Sequence, residues 1–201
     1  ITDHTADLAM VRGSDEKKLL LQAKEIDRVQ KKVPGIRILK GAEVNIRKDG
    51  TLDVSDKGLA MLDVVGISVH SHFKMSKKDM TNRIIRAMEN PHCDILFHPT
   101  GRLLQKRDAY EVDMEEIMKA AKKTGTVLEA NASPQRLDLK DTDIKKAVEA
   151  GVKLAINSDA HHKEHFEFLQ YGIGQARRGW AKERDVINTL PAKQMITSLK
   201  R

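Results

Sequence analysis

Aromatic side chains and cysteine are both scarce in this sequence. Phe, Trp and Tyr make up 3% of its 201 residues, so an aromatic platform for stacking nucleobases is not expected. The single cysteine, Cys93, excludes an internal disulfide framework and a zinc ribbon, and we expect it to be a small buried hydrophobic residue. The longest apolar runs are strand-sized pieces such as residues 61–69, too short to span a bilayer. With no signal peptide either, the sequence predicts a cytoplasmic protein without a membrane partner.

The composition is otherwise that of a folded, moderately basic protein. Charged residues make up 32% and hydrophobic residues 40% of the chain, which is enough apolar material for a core. Lys and Arg number 36 against 29 Asp and Glu, a formal net charge of +7. This surplus favours a phosphate-bearing partner, although a modest excess is also common on solvated surfaces. The sequence begins at Ile1, and residues 1–4 read as the end of a strand, so we expect the natural chain to continue upstream.

Strand-like and helix-like segments alternate along the whole sequence. Nearly unbroken apolar runs, typical of strands buried on both faces, alternate with segments whose apolar residues recur at helical spacing. The strands are predicted at 36–39, 62–69, 94–97, 127–130 and 152–156. The helices are predicted at 15–32, 76–90, 113–124 and 141–150, with three more near 172–178, 184–189 and 191–199. This alternation predicts an α/β fold with a parallel sheet, either most of a (βα) barrel that lacks its first unit or a doubly wound open sheet.

Side chains that can bind metal stand where the predicted strands end. In parallel α/β folds the carboxyl ends of the strands carry the functional residues. Neutral imidazoles and carboxylates suit Zn, Mn or Fe, whereas the lack of thiolates argues against a structural zinc site. One such histidine is usually a hydrogen-bonded core residue, but several coinciding strand ends favour a metal centre. The residues are His4, Glu43, His70, His98, Asp159 and His161.

The spacing of two of these residues carries a geometric expectation. Residues two apart in an extended segment project on the same side, so Asp159 and His161 are expected to reach one metal or two adjacent metals. By the same argument His72, two residues after His70, is the main rival ligand.

Two arginines follow strand ends closely. Arg102 lies four residues after His98, and Arg136 follows Asn131 in the loop after the strand at 127–130. A guanidinium at this rim can hold a phosphate with two hydrogen bonds, or it can anchor a loop through an ion pair. The sequence leaves both roles open for each arginine.

The motifs that contain these residues together resemble the PHP domain of the polymerase and histidinol phosphatase family. They are Ile1-Thr-Asp-His4, Gly41-Ala-Glu43-Val-Asn45, Val69-His70-Ser71, Phe97-His98-Pro99, Glu129-Ala-Asn131-Ala and Asn157-Ser-Asp159-Ala-His161. Three longer strings are most similar to the C-terminal PHP domain of bacterial and archaeal family X DNA polymerases: His98-Pro-Thr-Gly-Arg102, Arg136-Leu-Asp-Leu139 and Ala176-Arg-Arg-Gly-Trp180. The resemblance covers residues 1–201 and implies one PHP phosphoesterase domain, truncated at its N-terminus.

The resemblance implies a fold and a ligand set. The fold is a distorted seven-stranded, TIM-like (βα) barrel of PHP type, here without its first strand–helix unit, with up to three Mn or Zn ions at its rim. Glu43 would bridge two metals, and His70 and His98 would complete one of the sites.

The remaining ligands would complete the other sites. Asp159 would hold the neighbouring metal, and His4 with His161 the third. The family's opening His-x-His motif would lie upstream of Ile1, so the site that Asp159 shares would lack two of its usual ligands in this sequence.

The resemblance and the strand-end residues predict metal-dependent phosphoester hydrolysis. The expected activity is 3′–5′ exonuclease and 3′-end processing in DNA repair, on DNA with a 3′ end, with polymerase domains upstream in the parent chain. Glu43, Asp159 and Arg102 are expected to be catalytic, and Arg102, Arg136 and Asn131 to contact the substrate. The alternatives are a small-molecule phosphatase of the histidinol-phosphate type and a non-catalytic PHP scaffold that stabilises its polymerase. The fragment itself need not be active.

Overall fold

The computed structural model describes residues 1–8 and 13–199, and strands and helices alternate through them. The strands are β1 (Thr2–His4), β2 (Gly41–Asn45), β3 (Val64–Ser68), β4 (Ile95–Leu96), β5 (Val127–Asn131) and β6 (Leu154–Asn157). The helices are α1 (Glu16–Gln30), α2 (Asp56–Leu59), α3 (Lys77–Met88), α4 (Met114–Thr124), α5 (Asp141–Glu149), α6 (Leu169–Arg178) and α7 (Ala192–Leu199). Short 3₁₀ turns cover Lys163–Phe168, Glu183–Asp185 and Ile187–Thr189. None of the helices described is long and apolar enough to cross a bilayer.

The six strands form one parallel sheet whose order, β1-β2-β3-β4-β5-β6, follows the chain. The sheet is curled into a half-barrel, which is consistent with an incomplete TIM-like barrel of PHP type. A doubly wound sheet reverses its strand order partway along, so the sequential order rules out that alternative. All carboxyl ends of the strands therefore meet at one rim.

Alternate residues of each strand pack on opposite faces of the sheet. Val65, Leu96 and Leu128 belong to the larger core, which the buried faces of α3, α4 and α5 complete. The neighbouring residues on the other face form a smaller cluster inside the curve of the sheet, joined by side chains from the C-terminal segment. This cluster consists of Val64, Ile95, Phe97, Val127, Ala155, Ile187 and Leu199.

The strand expected at 36–39 is wrong, because β2 begins at Gly41. Residues 36–39 are an irregular segment in which Ile36 is exposed. Its backbone groups pair with the side chain of Gln30 at the end of α1: the Ile38 N–H donates to Oε1, and Nε2 donates to the Ile36 carbonyl, both at 2.7 Å. The apolar residues indicate a strand, but the Gln30 side chain pairs with the groups of Ile36 and Ile38, and the Leu39 carbonyl accepts from the N-terminal ammonium of Ile1.

The helix expected at 184–189 is also wrong. This segment consists of two 3₁₀ turns that lie along the open side of β6. Val186 pairs with Leu154, and Asn188 donates to the carbonyl of Ile156 and accepts from its N–H. A continuous helix would use its backbone N–H and carbonyl groups internally, so they could not pair with the edge of the sheet.

Gly66 in β3 offers a test of how tightly the smaller cluster, to which Phe97 belongs, is packed. A Cβ at Gly66 would lie 2.0 Å from Cε2 of Phe97. We expect Gly66→Ala to lower the free energy of unfolding by about 1–3 kcal/mol, because the ring must leave its site. Gly174→Ala is the control, since no atom of the described residues, apart from its chain neighbours and its own helix backbone, lies within 4 Å of the added Cβ. Denaturant unfolding of both variants and the wild type checks this. A Gly66→Ala protein as stable as the wild type would contradict the packing described.

Candidate metal centre

Glu43 is the centre of a cluster of histidines at the rim. Its neighbours in β2, Ala42 and Val44, are fully buried in the larger core, so Glu43 projects from the opposite face of the sheet. Its Oε1 lies 2.8 Å from Nε2 of His98 and 3.0 Å from Nε2 of His70. Its Oε2 lies 3.5 Å from Nδ1 of His4.

The geometry of this cluster is compatible with a metal ion. His4, Glu43 and His70 each offer one ligand atom, and these atoms lie within 4.8 Å of one another. The rings of His70 and His98 are also close, with centroids 5.4 Å apart. Three nitrogen ligands and a carboxylate are a donor set that Zn and Mn accept.

The hydrogen bonds of His70 fix which ring nitrogen carries a proton. Asn45 donates through Nδ2 to Oδ2 of Asp53, so its Oδ1 is the atom that faces Nδ1 of His70, at 2.7 Å. An amide oxygen can only accept, so Nδ1 of His70 carries the hydrogen. Burial lowers the pKa of His70 and favours the neutral ring, although Glu43 acts in the opposite direction. A neutral His70 therefore presents a bare Nε2 to the carboxylate of Glu43, an arrangement that a cation would stabilise.

Two ring nitrogens of the cluster are buried and have no hydrogen-bond partner among the residues described, Nδ1 of His4 and Nδ1 of His98. A buried nitrogen without a partner costs roughly 1–3 kcal/mol. His98 also has a positive φ of 28°, a strained conformation that is concentrated at functional sites. Unsatisfied nitrogens and local strain at one rim are both consistent with a binding site.

The charge of Glu43 is set by its histidine neighbours. Burial alone would raise the pKa of Glu43, but the neighbouring imidazoles of His70 and His98 outweigh it and hold the pKa well below its usual range. For His98, burial opposes protonation, yet the hydrogen bond and the charge of Glu43 prevail and raise its pKa. Glu43 is therefore ionised at neutral pH and available as a ligand.

Asp159 and His161 lie at the other side of the same cleft. The cleft has a volume of about 430 Å³ and is also lined by His4 and Glu43. Oδ2 of Asp159 accepts from Nδ2 of Asn131 and from Nε of Arg136, both at 3.1 Å. All six ligand-type residues are thus placed at one rim, with four in the Glu43 cluster and two beside it.

The extended geometry expected for Asp159 and His161 is wrong. Asp159 has a φ of 52°, which turns the chain so that Nδ1 of His161 lies near the Asp159 backbone carbonyl, at 2.9 Å. The His161 ring is largely exposed and its centroid lies 6.2 Å from that of His4. His72 has a φ of 54° and is exposed on the loop after β3, outside the group that His4, Glu43 and His70 form.

Glu129 in β5 is a buried residue of this rim that the sequence did not single out as a site residue. Its Oε2 accepts from the His98 N–H at 2.7 Å and from Asn131 at 3.1 Å, and its Oε1 accepts from Asn157 at 2.8 Å. Burial raises the pKa of Glu129 to about 7. The signal in the sequence is one charged residue inside the apolar run at 127–130.

The two arginines have different surroundings. Arg102 donates through Nε to the Arg136 carbonyl at 2.9 Å and through Nη2 to the Leu137 carbonyl, and it lines a separate pocket beside Tyr110. Arg136 donates through Nε to Asp159, and its Nη1 is buried with no partner among the residues described. These contacts make Arg102 a link between two loops and place Arg136 against a ligand-type carboxylate. Their role toward phosphate stays a prediction.

Asn45→Ala tests the orientation of His70. The variant removes the closer acceptor of Nδ1 and leaves the Ser68 hydroxyl at 3.3 Å. His70 can then rotate or change tautomer, and we expect Mn²⁺ affinity to fall by about 10- to 100-fold. Isothermal titration with Mn²⁺ measures this. The control is Asn90→Ala, which removes a hydrogen bond to Asp56 away from the rim. Unchanged affinity in a folded Asn45→Ala protein would show that this hydrogen bond does not prepare the site.

The fold and the cluster define an α/β half-barrel with a candidate metal centre at the carboxyl ends of its strands. No family model matches the chain. It is 43% identical over 201 residues to the DNA polymerase/3′-5′ exonuclease PolX of Bacillus subtilis (strain 168), covering 100% of this chain and 35% of that protein. It is 38% identical over 140 residues to a probable phosphatase of Thermoanaerobacter sp. (strain X514), covering 65% of this chain and 55% of the relative.

A second probable phosphatase, from Caldanaerobacter subterraneus subsp. tengcongensis, is 33% identical over 143 residues, covering 66% of this chain and 54% of the relative. The chain thus spans about a third of the polymerase/exonuclease and just over half of each phosphatase. All 201 residues of this chain align with the polymerase/exonuclease, whereas its similarity to the phosphatases is more distant and covers about two thirds of it.

Proposed function

We propose that the chain is a PHP domain, a metal-dependent phosphoesterase that belongs to a DNA polymerase and processes DNA 3′ ends in repair. The observation that carries the proposal is the cluster around Glu43, where three histidines from three other strand ends converge on one buried carboxylate. The similarity to a polymerase/3′-5′ exonuclease, which covers all 201 residues of this chain and 35% of that protein, supports the substrate class.

The chain's own residues would hold up to three Mn or Zn ions. Glu43, His70 and His98 would form one site, with His4 beside them, and Asp159 and His161 would serve the neighbouring sites. Divalent ions held there would polarise a phosphoryl oxygen and would lower the pKa of water, so that hydroxide is available as the nucleophile at neutral pH.

The residues around the ligands would prepare and complete the site. Asn45 keeps the proton of His70 on Nδ1, and Glu129 holds the backbone of His98. Arg136 has Nη1 free of partners within the described chain, and a guanidinium is well shaped for phosphate oxygens. Asn131 bonds both Glu129 and Asp159 and would orient the carboxylates on either side of it.

A small-molecule phosphatase is the second candidate, favoured by the similarity to two probable phosphatases. The formal charge of +7 and the complete coverage by the polymerase/exonuclease favour DNA instead. A non-catalytic scaffold is the third candidate, and it is disfavoured because the ligand-type residues are present and assembled at the rim.

The test compares substrates in the full parent protein. With Mn²⁺, a 5′-labelled single-stranded oligonucleotide should lose nucleotides from its 3′ end, and EDTA should stop the reaction. Between about 50 and 200 mM KCl the affinity for the oligonucleotide should fall steeply, because contacts to several phosphates release counterions. Faster turnover of histidinol phosphate would favour the phosphatase, and Mn²⁺ binding without hydrolysis of either substrate would indicate a scaffold.

A further inference from the structure

Arg83 is a buried arginine on α3 that does not contact the candidate metal centre. Its side chain lies beneath the loops that follow β2 and β3, and the residue is 2% exposed. Among the residues described, no carboxylate lies within ion-pair distance of it, although a buried guanidinium normally has such a partner. The burial of this charge therefore needs an explanation.

Backbone carbonyls take the place of a carboxylate. Nε of Arg83 donates to the Arg47 carbonyl at 2.9 Å, and Nη2 donates to the Ile46 carbonyl. Nη1 donates to the Ser71 carbonyl at 2.8 Å. One planar fork thus joins the loop after β2 to the loop after β3.

The two loops that Arg83 joins are continuous with residues of the cluster. Ile46 directly follows Asn45, whose amide oxygen accepts from His70, and Ser71 directly follows His70. The last backbone hydrogen bond between these two strands runs from the Ile46 N–H to the Ser68 carbonyl at 2.9 Å. Beyond that bond no backbone hydrogen bond joins the two segments among the residues described, and the guanidinium of Arg83 links them instead.

We propose that Arg83 is a positioning residue that holds the end of β2 and the His70 loop together, so that His70 meets Asn45 and Glu43 in a fixed orientation. The inference rests on the proposed function, because it takes this cluster as the metal centre. Lysine could not replace Arg83, because one ammonium group cannot reach the carbonyls of both loops as the planar guanidinium does.

The experiment uses Arg83→Lys and Arg83→Met, with Arg86→Met as the matched control. Arg86 lies on the same helix and donates to the Asp49 carbonyl in the loop after β2, at 2.9 Å. It is exposed, and within the described residues it has no hydrogen bond to the loop after β3. Titration with Mn²⁺ alone should show about 10- to 100-fold weaker binding in Arg83→Lys and no change in Arg86→Met. Melting temperatures are recorded for all variants without metal.

A readout without metal separates this inference from the proposed function. In the metal-free protein, ¹⁵N NMR of the histidine rings should show the Nδ1–H tautomer of His70 in the wild type and a mixture in Arg83→Lys. If the wild type binds no Mn²⁺, the proposed function fails, and the NMR result still decides the role of Arg83. A purely structural arginine would lower the melting temperature and leave the tautomer and the Mn²⁺ affinity unchanged, which would overturn the inference. If Arg83→Met does not fold, Arg83→Lys alone decides.

Discussion

Replacing Glu43 with glutamine is expected to abolish metal binding at the cluster and to lower metal-dependent phosphodiester hydrolysis by about 1,000-fold or more. Glutamine has nearly the same shape but no charge, and its amide group would turn donor hydrogens toward ring nitrogens that must bind a cation. A bound ion contributes several kcal/mol to the stabilisation of charge in such reactions, and about 4 kcal/mol corresponds to a factor of about 1,000 in rate.

The measurement is metal content after dialysis against Mn²⁺, together with the rate of nucleotide release in the parent protein. Glu89→Gln is the control, because Glu89 is an exposed residue at the end of α3. Metal content equal to that of the wild type in Glu43→Gln would remove Glu43 from the ligand set.

The sequence predicts the residues at the rim better than it predicts where each strand and helix begins and ends. The apolar runs that precede His70 and His98 predict that both residues stand at strand ends, and the structure brings both to Glu43. The sequence predicts Glu43 just after a strand at 36–39, whereas Glu43 lies within β2. The error came from a segment in which Gln30 bonds the Ile36 carbonyl and the Ile38 N–H, two contacts that no hydrophobic pattern encodes.

What the sequence could not show depends on positive φ values and long-range contacts. Asp159 adopts the left-handed region, which aspartate tolerates better than most residues, so the alternation of an extended segment did not apply. The hydrogen bonds that join Glu129 to His98 and Asn157, and Arg83 to Ile46, connect residues that are 28 to 37 positions apart in the sequence. Such contacts exist only once the sheet has formed.

Arg102 and Arg136 illustrate the same limit, because the residue types alone allow either role for each. The structure gives Arg102 two backbone carbonyls of the next loop, one of which belongs to Arg136. Arg102 can thus influence the position of Arg136 without reaching the cleft itself. The two arginines are therefore best tested as a pair.

Arg136→Ala is expected to lower phosphodiester turnover by about 30- to 1,000-fold, while the protein still binds Mn²⁺. A guanidinium that contacts phosphate mainly in the transition state contributes roughly 2–4 kcal/mol. Arg136→Lys should recover only part of the loss, because an ammonium lacks the planar fork. Turnover, Mn²⁺ content and melting temperature are measured together in the parent protein, and full activity in Arg136→Ala would exclude this residue from substrate binding.

Arg102→Ala distinguishes the two roles left open for that residue. As a link between loops, Arg102 stabilises the loop that carries Arg136, so its loss should lower the melting temperature along with turnover. As a phosphate ligand, it would instead lower turnover at an unchanged melting temperature. The double variant separates the cases further: if Arg102 acts through Arg136, removing it should have little additional effect on turnover once Arg136 is alanine, whereas two independent phosphate contacts would give losses that multiply.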